Sequence, residues 1–553
     1  MFVNSILDFE FTKAEKILRE NIEKDVGESK LGHASMNLGI VNVIRALISR
    51  SETDYNLAIL QLTETQNSAS KMFSISTINL FPAADFFTFK SLQLLDDPRF
   101  TKEVEESANA NEEIESDFMK IYYQRSVSEL ITAECVLLQI FLKCVFTGEH
   151  SNIFSSLLNE SELTSFRSAF MTLYHAYDRF KFLPEGNKLR LDNEYRDGLM
   201  LAWGLCSLVT LLLPCQLAVI LGTSAFQLSS VSEALNLIEY SASLSADGLH
   251  SLLASLILIF YHADVKNNVD EAQKHLDSLE QPKSVLCQYF QAKFHRLQGQ
   301  LSSSIEILTK IRLTPAIVQL PIFWQIIQCF AESQKWPEAI QYTKMLRNCG
   351  YPSIIFSLYL EASFMQASTG RAFGPLSFEV QCLLEKILEA SRAKHKSPRL
   401  FLDRLAITRA RNVLERGEHF FLPHFEMFLL WDRLKGISHK DFVTSQVRKA
   451  LESSGQLTFE QQTLGWLILA SLSSSPSSSI KLITNHILPK ERALPAATFV
   501  MIRAKCELAQ CLLFEGKTEA AKILINEIEM RCFDKNGFPG QTTILLLLSK
   551  LKQ

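Results

Sequence analysis

The sequence predicts an all-α protein made of helical hairpins stacked in series into a superhelix. Three observations carry this prediction. Glycine and proline are scarce, 20 and 16 residues in a chain of 553, against an ordinary usage of about 7% and 5%. Few breakers per residue mean long helices with short connections. The chain is rich in leucine and holds 38 Phe, yet its 47% hydrophobic and 21% charged residues are those of an ordinary folded chain. Finally, several stretches repeat one arrangement of small and bulky residues that close helix–helix crossings demand.

The elements can be justified in chain order. A hairpin unit of about 34 residues needs a small residue on its first helix, a turn that often holds glycine, and a small residue on its second helix with bulky ones further on. Near the start, EFTKAEKILRE reads as the second half of such a unit, with Ala14 small and Leu18 bulky. The stretch QYFQAKFHRLQGQLSSSIEILTKI places Ala292, Gly299 and Leu308 at the required offsets, with Ser304 where alanine is usual. In CFAESQKWPEAIQYTKMLRNC, Trp336 sits at the turn, Pro337 opens the second helix and Ala339 is its small residue. Proline suits the first helical position because no partner is needed there for its missing N–H. Near the C-terminus, Ala509, Gly516, Ala521, Ile525 and Ile528 complete a fourth match.

This pattern divides the chain into N-terminal hairpins over 1–100, an acidic segment over 101–117, central apolar helices over 118–265, and one continuous array of tetratricopeptide-like repeats over 266–553. The acidic segment, TKEVEESANANEEIESD, has seven acidic residues and no apolar period. It is expected as a solvated, disordered loop. SLSSSPSSS, from Ser471 to Ser479, is expected as a linker between helices.

The stretch GLMLAWGLCSLVTLLLPCQLAVILG, from Gly198 to Gly222, carries no charge and is long enough to span a bilayer. Pro214 argues against a span, since it removes a backbone donor and clashes with the preceding turn. The flanks lack the positive cluster that would set topology. Gly198, Ala202, Cys206 and Thr210 recur every four residues, so another helix can approach that face closely. A second apolar helix, GLHSLLASLILIFYH, runs from Gly248 to His262. Both are expected as buried elements packed on other helices; the alternative is a hydrophobic central region in contact with a lipid or membrane surface. The N-terminus lacks a basic region followed by an apolar run, so no signal peptide is expected.

Net charge is −4, which is not the footprint of a nucleic-acid binder. Eleven cysteines are scattered without a CxxC pair and are expected as buried thiols of a reducing compartment. Cys506 and Cys511 belong to this buried set rather than to a ligand set. No metalloprotease, nucleophile-elbow, phosphate-loop or calcium-loop motif is present. His419 and His424 flank FFLP, where Pro423 breaks a common helix face, so they are expected as packing or surface residues and not as metal ligands. His175 and Asp178 are neighbours on a helix, a local polar pair without a nucleophile to join it. RAKHKSPRLFLDRLAITRARNVLERGEH, Arg392 to His419, is the one sizeable cationic region. It is expected as a charged outer helix face, with a docking site for an acidic client tail or an anionic lipid headgroup as the functional alternative. No catalytic residue, cofactor or metal is expected.

In serial order the segments resemble the family that unites animal tetratricopeptide repeat protein 39 with a fungal inclusion-body clearance protein. TAECVLLQIFLKCV is similar to a family helix through Ala133 and Glu134, and SFRSAFMTLYHAYDRF through Arg167, Tyr174 and Tyr177. GIVNVIRALISRSETDYNLAILQL resembles the early family helices. Gly204, Leu212, Leu213 and Pro214 match a signature segment, after which GTSAF departs from the family's Phe-Ser-Gly turn. Tyr261-His262 closes a further match, and Tyr359 with Ala362 marks another. The most specific match is HFFLPHFEMFLLWDRL, where Leu422, Pro423, Glu426 and Trp431 fit and Asp432 stands where the family has Asn. The resemblance implies a non-enzymatic helical-repeat scaffold or adaptor that binds protein clients. It implies general links to sterol and lipid handling, to protein turnover and inclusion clearance, and to cilia. The location expected from the thiols and the N-terminus is cytoplasmic, with the nucleus as a second alternative.

Overall fold

The computed structural model of the protein describes residues 2–8, 10–24, 28–49, 51–90, 108–146, 160–183, 186, 188, 191–212, 223, 228, 230–245, 248–311, 319–349, 353–370, 375–393, 401–437, 439–452, 457–493 and 499–532. Among these, every regular element is helical. They form two compact units, one built chiefly from residues up to Leu258 and the other chiefly from residues from Ile259 onward.

The first unit contains α1 (Phe2–Leu7), α2 (Phe11–Lys24), α3 (Glu28–Ser49), α4 (Glu52–Lys90), α5 (Ala108–Phe146), α6 (Glu160–Phe182), α7 (Asn193–Leu212), α8 (Val231–Leu244) and most of α9 (Leu249–Phe260). Ala14 and Leu18 of α2 are buried, as the half-hairpin pattern requires. Residues 108–117, expected as a loop, form the first turns of α5. Alanine and glutamate are strong helix formers, and the turns are propagated from the apolar part of the same helix. Residues 101–107 lie outside the described residues.

The long apolar stretch is α7, which ends at Leu212; Pro214 and the remainder to Gly222 lie outside the described residues. Leu199, Met200, Leu201, Trp203 and Leu208 are all buried against protein. Among the described residues no helix is long and apolar enough to cross a membrane. The close approach on α7 involves two glycines. A methyl group on Gly198 would lie 3.1 Å from Leu130 of α5 and 3.3 Å from the His250 ring. One on Gly204 would lie 2.9 Å from Ile238 of α8 and 3.1 Å from the Ala234 carbonyl. The expected small-residue face therefore makes only part of the contact, and Gly204, outside that series, sets the distance to α8.

The second unit opens with a π-helical turn, Tyr261–Val265, and continues through α10 (Val269–Asp277), α11 (Val285–Leu297), α12 (Leu301–Lys310), α13 (Leu320–Glu332), α14 (Trp336–Asn348), α15 (Ile354–Ser368), α16 (Phe378–Ala393) and α17 (Phe401–Arg416). It ends with α18 (Pro423–Leu430), α19 (Lys440–Glu452), α20 (Phe459–Leu472), α21 (Pro476–His486), α22 (Phe499–Phe514) and α23 (Thr518–Cys532). Consecutive helices from α10 to α17 pack on one another, as do those from α19 to α23, and α15 also meets α17 and α18. This is the serial contact pattern of a helical repeat array.

The crossing residues behave as the pattern predicts. Ala292, Ala339, Ala509, Ala521 and Ile528 are fully buried, and Leu308 and Ile525 nearly so. Ser304 replaces alanine without a gap because its hydroxyl meets Cys329 Sγ at 3.3 Å. The Ser-rich linker is shorter than expected. Ser471 and Leu472 still belong to α20, and Pro476 lies in the first turn of α21, leaving three connecting residues. Ser479 is buried and donates to the Ala470 carbonyl at 2.5 Å, so part of the expected linker is core.

Candidate functional site

Burying a carboxylate requires a cation or several hydrogen bonds, and this demand shapes the second unit. Glu426 on α18 is 2% exposed. Arg409 on α17 meets it at 2.6 Å and reaches Glu460 of α20 at 2.8 Å, while the Tyr359 hydroxyl of α15 donates to Glu426 at 3.2 Å. Three helices thus meet at the Glu426 carboxylate, and Arg409 ties in the fourth through Glu460. A cavity of about 20 Å³ beside Arg409 and Glu426 has room for roughly one water molecule. The expected cationic outer face is corrected accordingly. Arg409 turns inward and Arg404 is half-buried, its pKa lowered by burial, whereas Arg411 pairs on the surface with Glu415 at 3.6 Å. Residues 394–400 of that stretch lie outside the described residues.

Two further networks repeat the device. Glu332 of α13 is fully buried between Arg296 of α11 at 2.7 Å and Arg433 at 3.0 Å. Arg503 of α22 holds Asp432 at 2.8 Å and Glu507 at 3.1 Å. Asp432 has a left-handed backbone, φ +54°. It closes α18 with the Asp432 N–H on the Leu429 carbonyl and the Arg433 N–H on the Phe428 carbonyl, which is the Schellman arrangement. Asn and Asp tolerate this conformation better than other side chains, so Asp432 in place of Asn keeps the turn and adds an ion pair.

Of the histidines singled out, His424 is buried, with its ring 5.3 Å from Trp336 in an edge-on contact. Burial pushes its pKa down to about 3, so it is a neutral packing residue. His419 contributes its backbone carbonyl to Gln461 at 2.8 Å. Cys506 and Cys511 are buried on α22, and burial pushes the Cys506 thiol up to about 12. Such a thiol is not an activated nucleophile. His175 faces a cleft in the first unit.

That cleft, about 470 Å³, lies between α4, α5 and α6. On α5 it is lined by Arg125, Ser128, Glu129 and Thr132, spaced i, i+3, i+4 and i+7 on one helix face. Thr172, His175 and Arg179 face it from α6, and Ser70 from α4. Arg125 binds Glu129 at 3.0 Å, and Arg179 binds the other oxygen of the same carboxylate. The opposite side of α5 is apolar core, with Val127, Leu130 and Ile131 fully buried. Sequence reading missed this site because its residues come from three separated helices. Its one signal was the polar stripe of Arg125, Ser128, Glu129 and Thr132 beside the apolar face of α5.

Deeper in the same unit, His33, Glu134, Glu194, Asp197 and His250 share the interior. His250 Nε2 lies 3.2 Å from Glu134 Oε1, and Asn37 donates to Glu194 at 2.5 Å. Burial alone would lower the His250 pKa, but Glu134, Glu194 and Asp197 outweigh it and the net shift is upward. For His33, burial prevails over Glu194 and the shift is downward. Burial raises Asp197 to about 7 against the opposing charge of His250. The cluster is a buried polar core that joins α3, α5, α7 and α9.

No curated protein matches the sequence. The family described as Iml2/Tetratricopeptide repeat protein 39 matches residues 2–470, a span that ends within α20 and leaves the α22–α23 hairpin beyond it. Glu134, Tyr359 and Glu426, three of the polar residues that carried the sequence resemblance, serve in the buried networks above, and Asp432, where the resemblance departs from the family's Asn, pairs with Arg503. With most of its length matched and its helices stacked as hairpins, the chain belongs to the Iml2/Tetratricopeptide repeat protein 39 family.

Proposed function

We propose that the protein is a non-enzymatic scaffold or adaptor that binds partner proteins on the outward faces of its stacked hairpins. The supporting observation is a division of labour. The repeat residues Ala292, Ala339, Ala509 and Ala521 and the signature residues Tyr359, Leu422 and Glu426 are buried and hold helices together, while large apolar side chains of the second unit are left outside. Phe378 at the start of α16 is 79% exposed and Phe514 at the end of α22 is 82% exposed. Phe442 and Phe459, in the first turns of α19 and α20, are also exposed. Exposed aromatic side chains are favoured anchors in protein interfaces. The net charge of −4 gives no support to nucleic acid as a partner. Sterol and lipid handling and protein turnover come from the family resemblance alone, and a cytoplasmic location from the scattered cysteines; these are the settings in which partners are best sought.

Proximity labelling in cells tests the reading, using the full chain beside a variant with Phe378, Phe442, Phe459 and Phe514 all changed to Ser. The variant should keep its helical circular dichroism and lose a defined set of protein neighbours. An unchanged set of neighbours would reject these faces as the binding surface.

A further inference from the structure

We propose that His262 on the π-helical turn, with His275 and Glu271 on α10, forms a binding site for a divalent transition-metal ion, zinc first. All three residues belong to the second unit, and the inference goes beyond the scaffold reading without depending on it. A ring nitrogen of His262 and one of His275 lie within 4.8 Å of each other. Two imidazoles on one tetrahedral zinc, with Zn–N bonds of about 2.0–2.1 Å, hold their nitrogens about 3.3 Å apart. A closure of at most about 1.5 Å therefore brings both onto one ion, and rotation of the side chains supplies it.

The backbone sets the rings beside each other. The Lys266 N–H reaches back five residues to the Tyr261 carbonyl at 2.9 Å, the bond that makes the turn π-helical. Such turns are found frequently at functional sites. The His262 carbonyl accepts the Asn268 N–H at 2.7 Å, and the Asn268 side chain caps α10 by accepting the Glu271 N–H at 3.2 Å. The rings of His262 and His275 stack with centroids 5.3 Å apart and planes at 21°. Glu271 and His275 are spaced i, i+4 and share one face of α10. The Glu271 carboxyl is held below its usual range by Lys274 first and also by both imidazoles, which places it near the two rings. No single-helix motif announces the set, because the π turn brings His262 to α10.

The chemistry of the set selects the ion. His262 Nε2 is buried and has no hydrogen-bond partner among the described residues. A buried polar atom left without a partner costs free energy, which a coordinate bond recovers. Burial lowers the His262 pKa, and His275, Lys266 and Lys274 act in the same sense against Glu271. The ring is therefore neutral at pH 7, the form that ligates. The same two lysines oppose an ion held by charge alone, and calcium and magnesium also prefer oxygen ligands. Two imidazoles and a carboxylate suit zinc and leave a position for water. Lys274 holds Glu271 at 2.7 Å, but at the surface, where such a pair is weak, so the carboxylate can exchange it for the metal.

Isothermal titration of the full chain, freed of metal by chelation, tests this with zinc chloride. Zinc should bind at a site from which an excess of magnesium or calcium does not displace it. His262→Phe and His275→Phe, which keep a ring in the stack, should each weaken binding by about 100-fold or more, since a lost ligand costs at least as much as the roughly 10–100-fold of a lost outer partner. Glu271→Gln, at a surface position, should weaken it by about tenfold with the fold intact, and it decides the matter should a histidine variant unfold. Cobalt(II) in place of zinc should give visible bands of nitrogen and oxygen ligation without a thiolate charge-transfer band, which separates this site from the cysteines. Zinc should raise the thermal midpoint of the parent chain and leave that of the histidine variants unmoved. The proposal is overturned by no saturable zinc binding, by affinities unchanged in the variants, or by a cobalt spectrum dominated by thiolate ligation.

Discussion

Burial decides which side chains of this protein carry charge, and His424 is the clearest case. Its folded pKa is about 3, against about 6.5 in an unfolded chain. The unfolded state therefore takes up a proton first. The stability associated with neutral His424 is fully present above pH 6.5 and is lost as pH falls from 6.5 towards 3, at up to about 1.4 kcal/mol per pH unit. His424→Phe, which keeps an aromatic ring against Trp336, should flatten the acid limb of a urea-denaturation series run between pH 7 and pH 4. An acid limb with the same slope in the variant would place the sensitivity elsewhere. The packing role of His424 was legible in the sequence, because Pro423 denies it a common helix face with His419. Its lost basicity was not, since that depends on burial by side chains from distant parts of the chain, Trp336 among them.

Among the helical elements, the turns show where sequence and structure part company. Gly299 and Gly516 announce their hairpin turns because glycine accepts positive φ without strain, and both have it, at +81° and +75°. The turn between α13 and α14 has the same bonds. The Lys335 N–H reaches the Phe330 carbonyl and the Gln334 N–H reaches that of Ala331. Yet the left-handed residue is Gln334, φ +58°, and no glycine marks it. Trp336, expected at the turn, is already the first residue of α14. A left-handed non-glycine residue costs about 1–2 kcal/mol, and glycine returns part of that through the greater freedom of its unfolded state. Gln334→Gly should therefore stabilise the protein by about 0.5–1 kcal/mol, read as a higher urea midpoint at constant slope. A lower midpoint would mean that the Gln334 side chain makes contacts worth more than the strain it imposes.

At the scale of the whole molecule, the fold class was legible because repeat packing is local. Ala292, Ala339, Ala509 and Ala521 each report a crossing with the next helix, so short windows of sequence hold the information. The cleft of the first unit and the buried ion networks were not legible. Arg296 and Arg433 share Glu332 across 137 positions, and no window of sequence contains such a group. Serial packing also bears on cooperativity. In an array where each hairpin touches mainly its neighbours, stability is close to a sum of local terms. Ala521 is fully buried at the α22–α23 crossing, and a glutamine there overpacks it, at a cost of about 1–3 kcal/mol. Hydrogen exchange of Ala521→Gln followed by mass spectrometry should show protection falling roughly 5- to 150-fold in α22 and α23, since about 1.4 kcal/mol is tenfold in an opening equilibrium. Amides of α13 to α15 should exchange as in the parent chain, because α16 to α21 stand between them and the lesion. If protection fell equally in α13 and in α23, the second unit would open as one block, and the buried carboxylate networks would be the contacts that couple its hairpins.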